Sequence, residues 1–175
     1  MKSIRVIAVG AILTSAIGGT VLAAQDRTSL KVPDGLAFSE FQGYDTWQPI
    51  AVSQTETGIK VIAGNDVMMK AFRDGLPTNG KTFPEGSKVA KIEWTIRQNT
   101  VSPYFVRIPG TLKSLSFIEK DSQRFPNNHG WAYAQFVNDP TTAALKPTGT
   151  GAECGYACHT RVASQDYIFT AYPPR

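Results

Sequence analysis

The residues best suited to chemistry lie near the C-terminus, where Cys154, Cys158 and His159 stand together in the run CGYACH. Two cysteines with a histidine directly after the second form the attachment pattern of a c-type haem. Each thiol can add to a vinyl group on the porphyrin edge, and the adjacent imidazole then lies under the ring as an iron ligand. The pattern therefore predicts one covalent haem c, held by both cysteines, with His159 as its proximal ligand.

The spacing departs from the usual pattern, because three residues separate Cys154 from Cys158 instead of two. A local bulge or a looser turn could absorb the extra residue, and cysteines four apart on a helix share a face. A disulfide between them is an alternative in an exported protein, although so small a loop constrains the unfolded chain little. Zinc is a further alternative, but these cysteines and His159 supply three ligands and a structural site usually takes four.

A second axial ligand would decide what the haem does, since an open iron site favours binding or catalysis and a filled one favours electron transfer. The candidates are His129, Met68 and Met69. Each also has an ordinary structural explanation, because Met68 fits the apolar stripe of a predicted helix and His129 lies in a turn.

The first residues predict a cleaved export signal over residues 1–23. Lys2 and Arg5 precede an apolar run over residues 6–22, which ends at the small residues Ala23 and Ala24. A membrane anchor is the alternative, because the run is nearly long enough to cross a bilayer. We expect a periplasmic protein without a membrane anchor after cleavage, with residues 24–175 forming a single haem domain. Loss of Lys2 and Arg5 lowers the formal net charge from +4 to +2, which excludes a strongly basic nucleic-acid binder.

The elements that must position the site are mostly strands. Residues 88–97 alternate between apolar and polar positions, which predicts the clearest strand. Asn65 is a good N-cap for a helix over residues 66–74. Further predictions are a short helix near residues 38–44, a hairpin over residues 47–53 and 59–63, a loop over residues 76–86, strands over residues 112–119 and 131–137, and one helical turn over residues 121–125. Short strands joined by short loops favour an antiparallel sheet, so the fold class is α+β and β-dominant, with a few short helices covering one face or end.

The order and spacing of several short segments resemble those of the cytochrome P-460 family, which includes the cytochromes c′-beta. The segments are Trp47, residues 64–66, 83–86, 119–125 and 130–133, the cysteine motif, and residues 166–170. The resemblance covers nearly the whole mature chain. It implies a periplasmic, mostly β protein, often a homodimer, whose five-coordinate haem would have His159 as its proximal ligand.

The resemblance also gives Lys91 a role. In hydroxylamine-oxidising members a lysine is bonded covalently to the porphyrin, and matching the turn at residues 83–86 places Lys91 at that position. A buried lysine loses its proton more readily, and only the neutral amine can attack a ring carbon. The ordinary alternative is a lysine on the wet face of a strand.

The resemblance therefore implies a haem oxidoreductase that acts on hydroxylamine or another small nitrogen compound and passes electrons to a partner cytochrome. Alternatives are a cytochrome that binds nitric oxide or another gas without turnover, and an electron carrier. Oxidation of hydroxylamine needs a proton acceptor near the open face of the iron. Lys60, Arg107 and Ser116 are candidates for that face, but the sequence does not identify a carboxylate there.

Overall fold

Six antiparallel strands form one sheet in a computed structural model, which describes residues 25–33, 35–77, 81–148 and 152–173. The strands follow one another across the sheet in chain order. They are β1 (Gln48–Gln54), β2 (Ile59–Gly64), β3 (Lys88–Gln98), β4 (Arg107–Lys120), β5 (Trp131–Asn138) and β6 (Leu145–Thr148). The predicted α+β, β-dominant class with an antiparallel sheet is confirmed.

The two α-helices of the described residues are α1 (Asp66–Arg73) and α2 (Ala152–His159). Asn65 caps α1 as predicted, since its Oδ1 accepts hydrogen bonds from the backbone N–H of Met68 and of Lys88 at 3.0 and 3.1 Å. Its amide also donates to the Gly86 carbonyl at 2.8 Å. One side chain therefore fastens the start of α1 to the start of β3.

Several sequence-based boundaries were wrong. The helix predicted near residues 38–44 is two 3-10 helices, Phe38–Phe41 and Tyr44–Thr46, because Gly43 between them has φ +78°. The helical turn predicted over residues 121–125 is an ordinary turn, and the 3-10 helix of that loop is Pro126–Asn128. Strand β4 begins five residues earlier than predicted, at Arg107.

One face of the sheet, here the N-terminal face, packs against the two 3-10 helices that precede β1. Phe41 is fully buried and stacks on Phe117 of β4, with ring centroids 4.3 Å apart. Phe38 makes edge contacts with Phe117 and with Phe136 of β5. This aromatic layer closes one side of the sheet and leaves the other side for α1 and the C-terminal segment.

The opposite face, here the cavity face, carries a second core and the candidate site. Met68, Met69 and Phe72 of α1 are buried there together with Val89 and Trp131. Helix α2 packs on β5, and the chain after α2 returns across this face as far as Tyr172. Both faces of the sheet are therefore covered, so the apolar side chains of β3 and β5 point in both directions.

The predicted signal over residues 1–23 lies outside the described residues. Among the residues that are described, no helix is both long and apolar enough to cross a membrane.

Candidate functional site

A cavity of about 480 Å³ lies between the cavity face of the sheet and the C-terminal segment. Its floor is a row of directly paired positions that crosses five strands, β2 to β6. Side chains at paired positions of an antiparallel sheet point to the same face, so the row projects into one space. The row consists of Ile62, Lys91, Ser116, Gln135 and Thr148.

The roof of the cavity is α2 and the irregular segment that follows the 3-10 helix Thr160–Gln165. Gly155, Cys158 and His159 of α2 line the cavity, as do Ile168 and Phe169. The cysteine motif is thus brought against the sheet by the helix that contains it.

Gly155 sets how closely α2 approaches the sheet. A Cβ atom at this position would overlap Cβ and Cγ of Tyr133 on β5. Only glycine gives the backbone of α2 room to lie directly on that ring. The helical backbone also accommodates the extra residue between the cysteines, since positions 154 and 158 are separated by about one helical turn.

His159 is held in one orientation by a backbone acceptor. Its Nδ1 lies 2.5 Å from the carbonyl oxygen of Tyr167. A carbonyl can only accept, so Nδ1 carries the proton and the neutral ring keeps the lone pair on Nε2. Burial is the main cause that lowers the pKa of His159, and the charge of Lys91 adds to it. The site therefore favours the neutral imidazole, the form that binds iron.

Two aromatic rings flank the imidazole of His159. The ring of Tyr133 lies 4.7 Å from it and the ring of Phe169 meets it edge-on at 4.9 Å. The Tyr133 hydroxyl is buried and has no hydrogen-bond partner among the described residues. Burial and the neighbouring Tyr156 and Asp166 raise its pKa, so the phenol stays neutral. The imidazole is thus fixed by rings on two sides as well as by its hydrogen bond.

Cys158 is exposed and lines the cavity beside His159. Cys154 belongs to the same helix, but its side chain lies outside the described set. The structure consequently leaves both thioether attachment and the alternative disulfide as predictions. In the part of the chain that is described, no group of three or more His, Cys, Asp or Glu side chains is placed to bind a metal ion.

Lys91 points into the cavity from the floor row, on the same face as Val89 and opposite to Ala90. No hydrogen bond or ion pair to its amine is seen among the described residues. Burial lowers the pKa of Lys91, and the charge of Lys60 lowers it further while Glu93 opposes the shift. The cavity therefore favours the neutral, nucleophilic amine more than a surface position would.

Lys60 lines the same cavity but is differently paired. Its Nζ lies 3.7 Å from Glu93, whose other oxygen accepts a hydrogen bond from Lys113 at 2.9 Å. Burial raises the pKa of Glu93, but the hydrogen bond from Lys113 and the nearby lysine charges outweigh it and lower the pKa overall. Glu93 is therefore an ionised partner of two lysines, and the described residues that line the cavity include no carboxylate.

The candidates for a sixth iron ligand lie elsewhere. Met68 and Met69 are fully buried in the core beneath α1, and His129 stacks on Tyr167 with ring centroids 5.0 Å apart. None of the three is among the described residues that line the cavity. Three residues were candidates for the open face of the iron. Lys60 and Ser116 line the cavity, whereas Arg107 lies outside its described lining, at the start of β4 beside Phe105.

Three residues that the sequence analysis missed contribute to the site: Gly155, Tyr133 and Asp166. The small residue inside the cysteine motif was a signal for close helix packing, but its partner on β5 could not be identified from the sequence. Asp166 is buried together with Lys120, and charged residues of this kind cannot be distinguished from surface charges by type alone.

The residues present fit a haem. The cavity falls in the size range of small-molecule and cofactor sites, roughly 300–1,000 Å³. Most of the surface that lines it is apolar, although the floor row itself is mostly polar. Its donors are an imidazole with Nε2 unprotonated and a thiol one position before it in the chain. An imidazole whose other nitrogen is hydrogen-bonded to a backbone carbonyl is typical of a metal ligand.

Comparison with known proteins gives one family. The family model described as Cytochrome P460 matches residues 41–170, which include the whole sheet, α2 and the cysteine motif. A comparison with curated proteins found no match.

Proposed function

Since the chain belongs to the cytochrome P460 family, whose members are c-type haem cytochromes, we propose that it oxidises hydroxylamine or a related small nitrogen compound in the periplasm. The observation that carries this proposal is the shared cavity. His159, Cys158 and Lys91 come from two distant segments of the chain and line one space. A haem fastened there would have an imidazole, a thiol and an amine of this chain within one space.

Cys154 and Cys158 would hold the haem through thioether bonds, and Nε2 of His159 would bind the iron. When bound, the haem supplies an iron centre that can take the nitrogen of a small substrate and accept its electrons. The residues of the protein orient the imidazole through the Tyr167 carbonyl, and they would hold the haem beside the cavity. The placement of Met68, Met69 and His129 outside the described cavity lining supports an open site rather than an electron carrier.

Lys91 would hold the haem by a further covalent bond. Its amine has no ion-pair partner among the described residues, and burial favours the neutral form. A bond between the amine nitrogen and a ring carbon replaces one N–H and one C–H hydrogen. Two protons and two electrons must therefore leave, and we assign the electrons to an oxidant of the peroxide class.

A second candidate function is the capture of nitric oxide or a similar gas without turnover. One observation favours it: no carboxylate is found among the described residues that line the cavity. Hydroxylamine oxidation releases protons, and an ionised pair such as Lys60 and Glu93 is a weaker acceptor than a free carboxylate. Gas binding needs no such acceptor.

The proposed partners follow from the reaction. Electrons from the substrate would pass to a partner cytochrome, because one haem cannot retain them through repeated turnover. A homodimer and the cleaved signal over residues 1–23 are further parts of the proposal. They rest on the family resemblance and on the N-terminal sequence.

Peptide mapping distinguishes the two candidate functions by showing whether Lys91 is bonded to the haem. In haem-loaded protein we expect that the tryptic peptide with unmodified Lys91 is missing and that a haem-linked peptide replaces it. Lys146→Met, at an exposed lysine of β6 outside the described cavity lining, serves as the control and should leave the linkage in place. Recovery of unmodified Lys91 from fully loaded protein would contradict the cross-link and favour the gas binder.

Turnover with hydroxylamine and an artificial electron acceptor tests the activity itself. We expect wild-type protein to turn over and Lys91→Met to lose most of its activity while still carrying haem. Nitric oxide binding without any hydroxylamine oxidation, in cross-linked wild-type protein, would refute the enzyme.

A further inference from the structure

The carboxylate of Asp166 is the most densely bonded buried group in the described part of the chain. Its Oδ1 lies 3.1 Å from Nζ of Lys120, and its Oδ2 accepts from the backbone N–H of Phe83 at 2.8 Å. The indole N–H of Trp131 also donates to Oδ1, at 3.3 Å. The side chains of Asp166 and Lys120 are 4% and 6% exposed. One carboxylate thus joins the loop before β3, the end of β4 and the start of β5.

The backbone at this point has a conformation that must be held in place. Asp166 and Tyr167 have φ values of +48° and +63°, in the left-handed region that residues with a Cβ adopt only at a cost. Two successive residues in this region turn the chain sharply after the 3-10 helix Thr160–Gln165. The turn aims the Tyr167 carbonyl at Nδ1 of His159.

From this arrangement we propose that Asp166, paired with Lys120, is a positioning residue for the iron ligand. The buried ion pair fixes the left-handed turn, the turn fixes the Tyr167 carbonyl, and the carbonyl accepts the hydrogen bond that orients His159. The inference rests on the proposed function, because it requires haem iron on Nε2 of His159. A hydrogen bond at Nδ1 makes an imidazole a stronger donor to its metal. Asp166 is not among the described residues that line the cavity, so it would tune the iron through His159 alone.

Asp166→Asn is the sharpest test. Asparagine adopts the left-handed region readily, so the substitution adds no backbone strain at this position. All three partners of the carboxylate are donors, and an asparagine has an NH₂ group in place of one acceptor oxygen. At least one donor then loses its partner, and the turn is no longer held as firmly.

The measurement is the iron–histidine stretching band of the reduced holoprotein by resonance Raman, together with its reduction potential. A weaker hydrogen bond at Nδ1 should move the band to lower frequency and make the potential more positive. Glu119→Gln is the matched control. Glu119 is the neighbour of Lys120 on β4 and pairs with Lys88 at 3.1 Å on the N-terminal face. The variant Glu119→Gln should leave the frequency of the iron–histidine band and the reduction potential unchanged.

A shift of the band and of the potential in Asp166→Asn alone supports the inference. No shift in this variant, or equal shifts in both variants, overturns it, since equal shifts would mean general loosening of the fold. If Asp166→Asn does not yield folded holoprotein, Lys120→Gln breaks the same pair from the other side. It must then move the band in the same direction, and an unchanged band overturns the inference.

Failure of the proposed function has a different signature. Wild-type protein would then not oxidise hydroxylamine although its iron–histidine band is present, and absence of the band or of a haem-linked mass would refute haem attachment itself. An intact wild-type band with no response at Asp166 refutes only the positioning role.

Discussion

Two lysines, Lys60 and Lys91, face the same cavity but differ in their partners. Glu93 lies 3.7 Å from Lys60 and receives a hydrogen bond from Lys113, whereas the amine of Lys91 has no such contact among the described residues. Glu93 is therefore an ion-pair partner of Lys60. The charge of Lys60 in turn disfavours a second charge on Lys91. Glu93 has the opposite effect on the pKa of Lys91, and burial is the main cause that lowers it.

Glu93→Gln tests this pairing through its pH dependence. A carboxylate whose pKa is lowered on folding stabilises the fold above its unfolded pKa, and this contribution is lost as the pH falls through the lowered value. We expect the variant to lose about 0.5–1 kcal/mol of unfolding free energy at pH 7, a small figure because Lys113 is partly exposed. The loss should shrink at about pH 3, below the usual carboxylate range.

Urea unfolding of both proteins at the two pH values gives the comparison. Asp74→Asn is a suitable control, since Asp74 pairs with Lys70 on an exposed face of α1. That change should cost no more than about 0.5 kcal/mol. Equal stability of Glu93→Gln and wild type at pH 7 would contradict the proposed pairing.

Among the elements, α2 is the one on which the site depends most. It carries the cysteine motif, lies against β5, and ends at His159. The sequence predicted the motif but not the helix around it, because Gly155 lowers helix propensity and the residues of the run have no apolar periodicity. Contact with Tyr133, far away in the sequence, is what stabilises the helix there.

Gly155→Ala distinguishes helix propensity from packing, because the two effects have opposite signs. Propensity alone would stabilise α2 by about 1 kcal/mol. Overlap of the new methyl group with Tyr133 should instead destabilise the protein by about 1–3 kcal/mol and reduce haem loading. Urea unfolding and the haem content per chain measure both effects.

Ala157→Gly is the control, at an exposed position of the same helix. It should lower stability by about 1 kcal/mol through propensity and leave haem loading unchanged. A Gly155→Ala variant that is as stable as wild type, with full loading, would show that the close approach of α2 is unimportant.

The antiparallel sheet could be predicted from the sequence, but the segments that pack on its two faces could not. Alternation in residues 88–97 identified β3, and Asn65 identified the start of α1, because both signals are local. Strand β6 was missed because Leu145–Thr148 is short and contains Pro147, which is tolerated at the edge of a sheet.

The same distinction between local and distant contacts applies to the site. The proposed haem donors Cys154, Cys158 and His159 form one short run and were predicted from their spacing, and Lys91 was predicted from the resemblance. The groups that orient them come from distant segments. The pairing of Lys120 with Asp166 spans 46 positions, so no local pattern could indicate it.

The two faces of the sheet have different functions. The N-terminal face is an aromatic core around Phe117, and the cavity face combines a second core with the candidate haem site. The sheet between them supplies five adjacent strands as a rigid floor. A site built on strands keeps its geometry better than one built on loops.

The proposed function depends on one haem that is bonded to Cys154 and Cys158, with His159 on its iron. The decisive measurement is the intact mass of protein matured in a host with a competent haem-ligation system. We expect a coloured protein whose mass exceeds that of the processed polypeptide by one haem, and this added mass should survive denaturation. A colourless protein at the polypeptide mass, or two hydrogens below it as a disulfide would give, would contradict the claim.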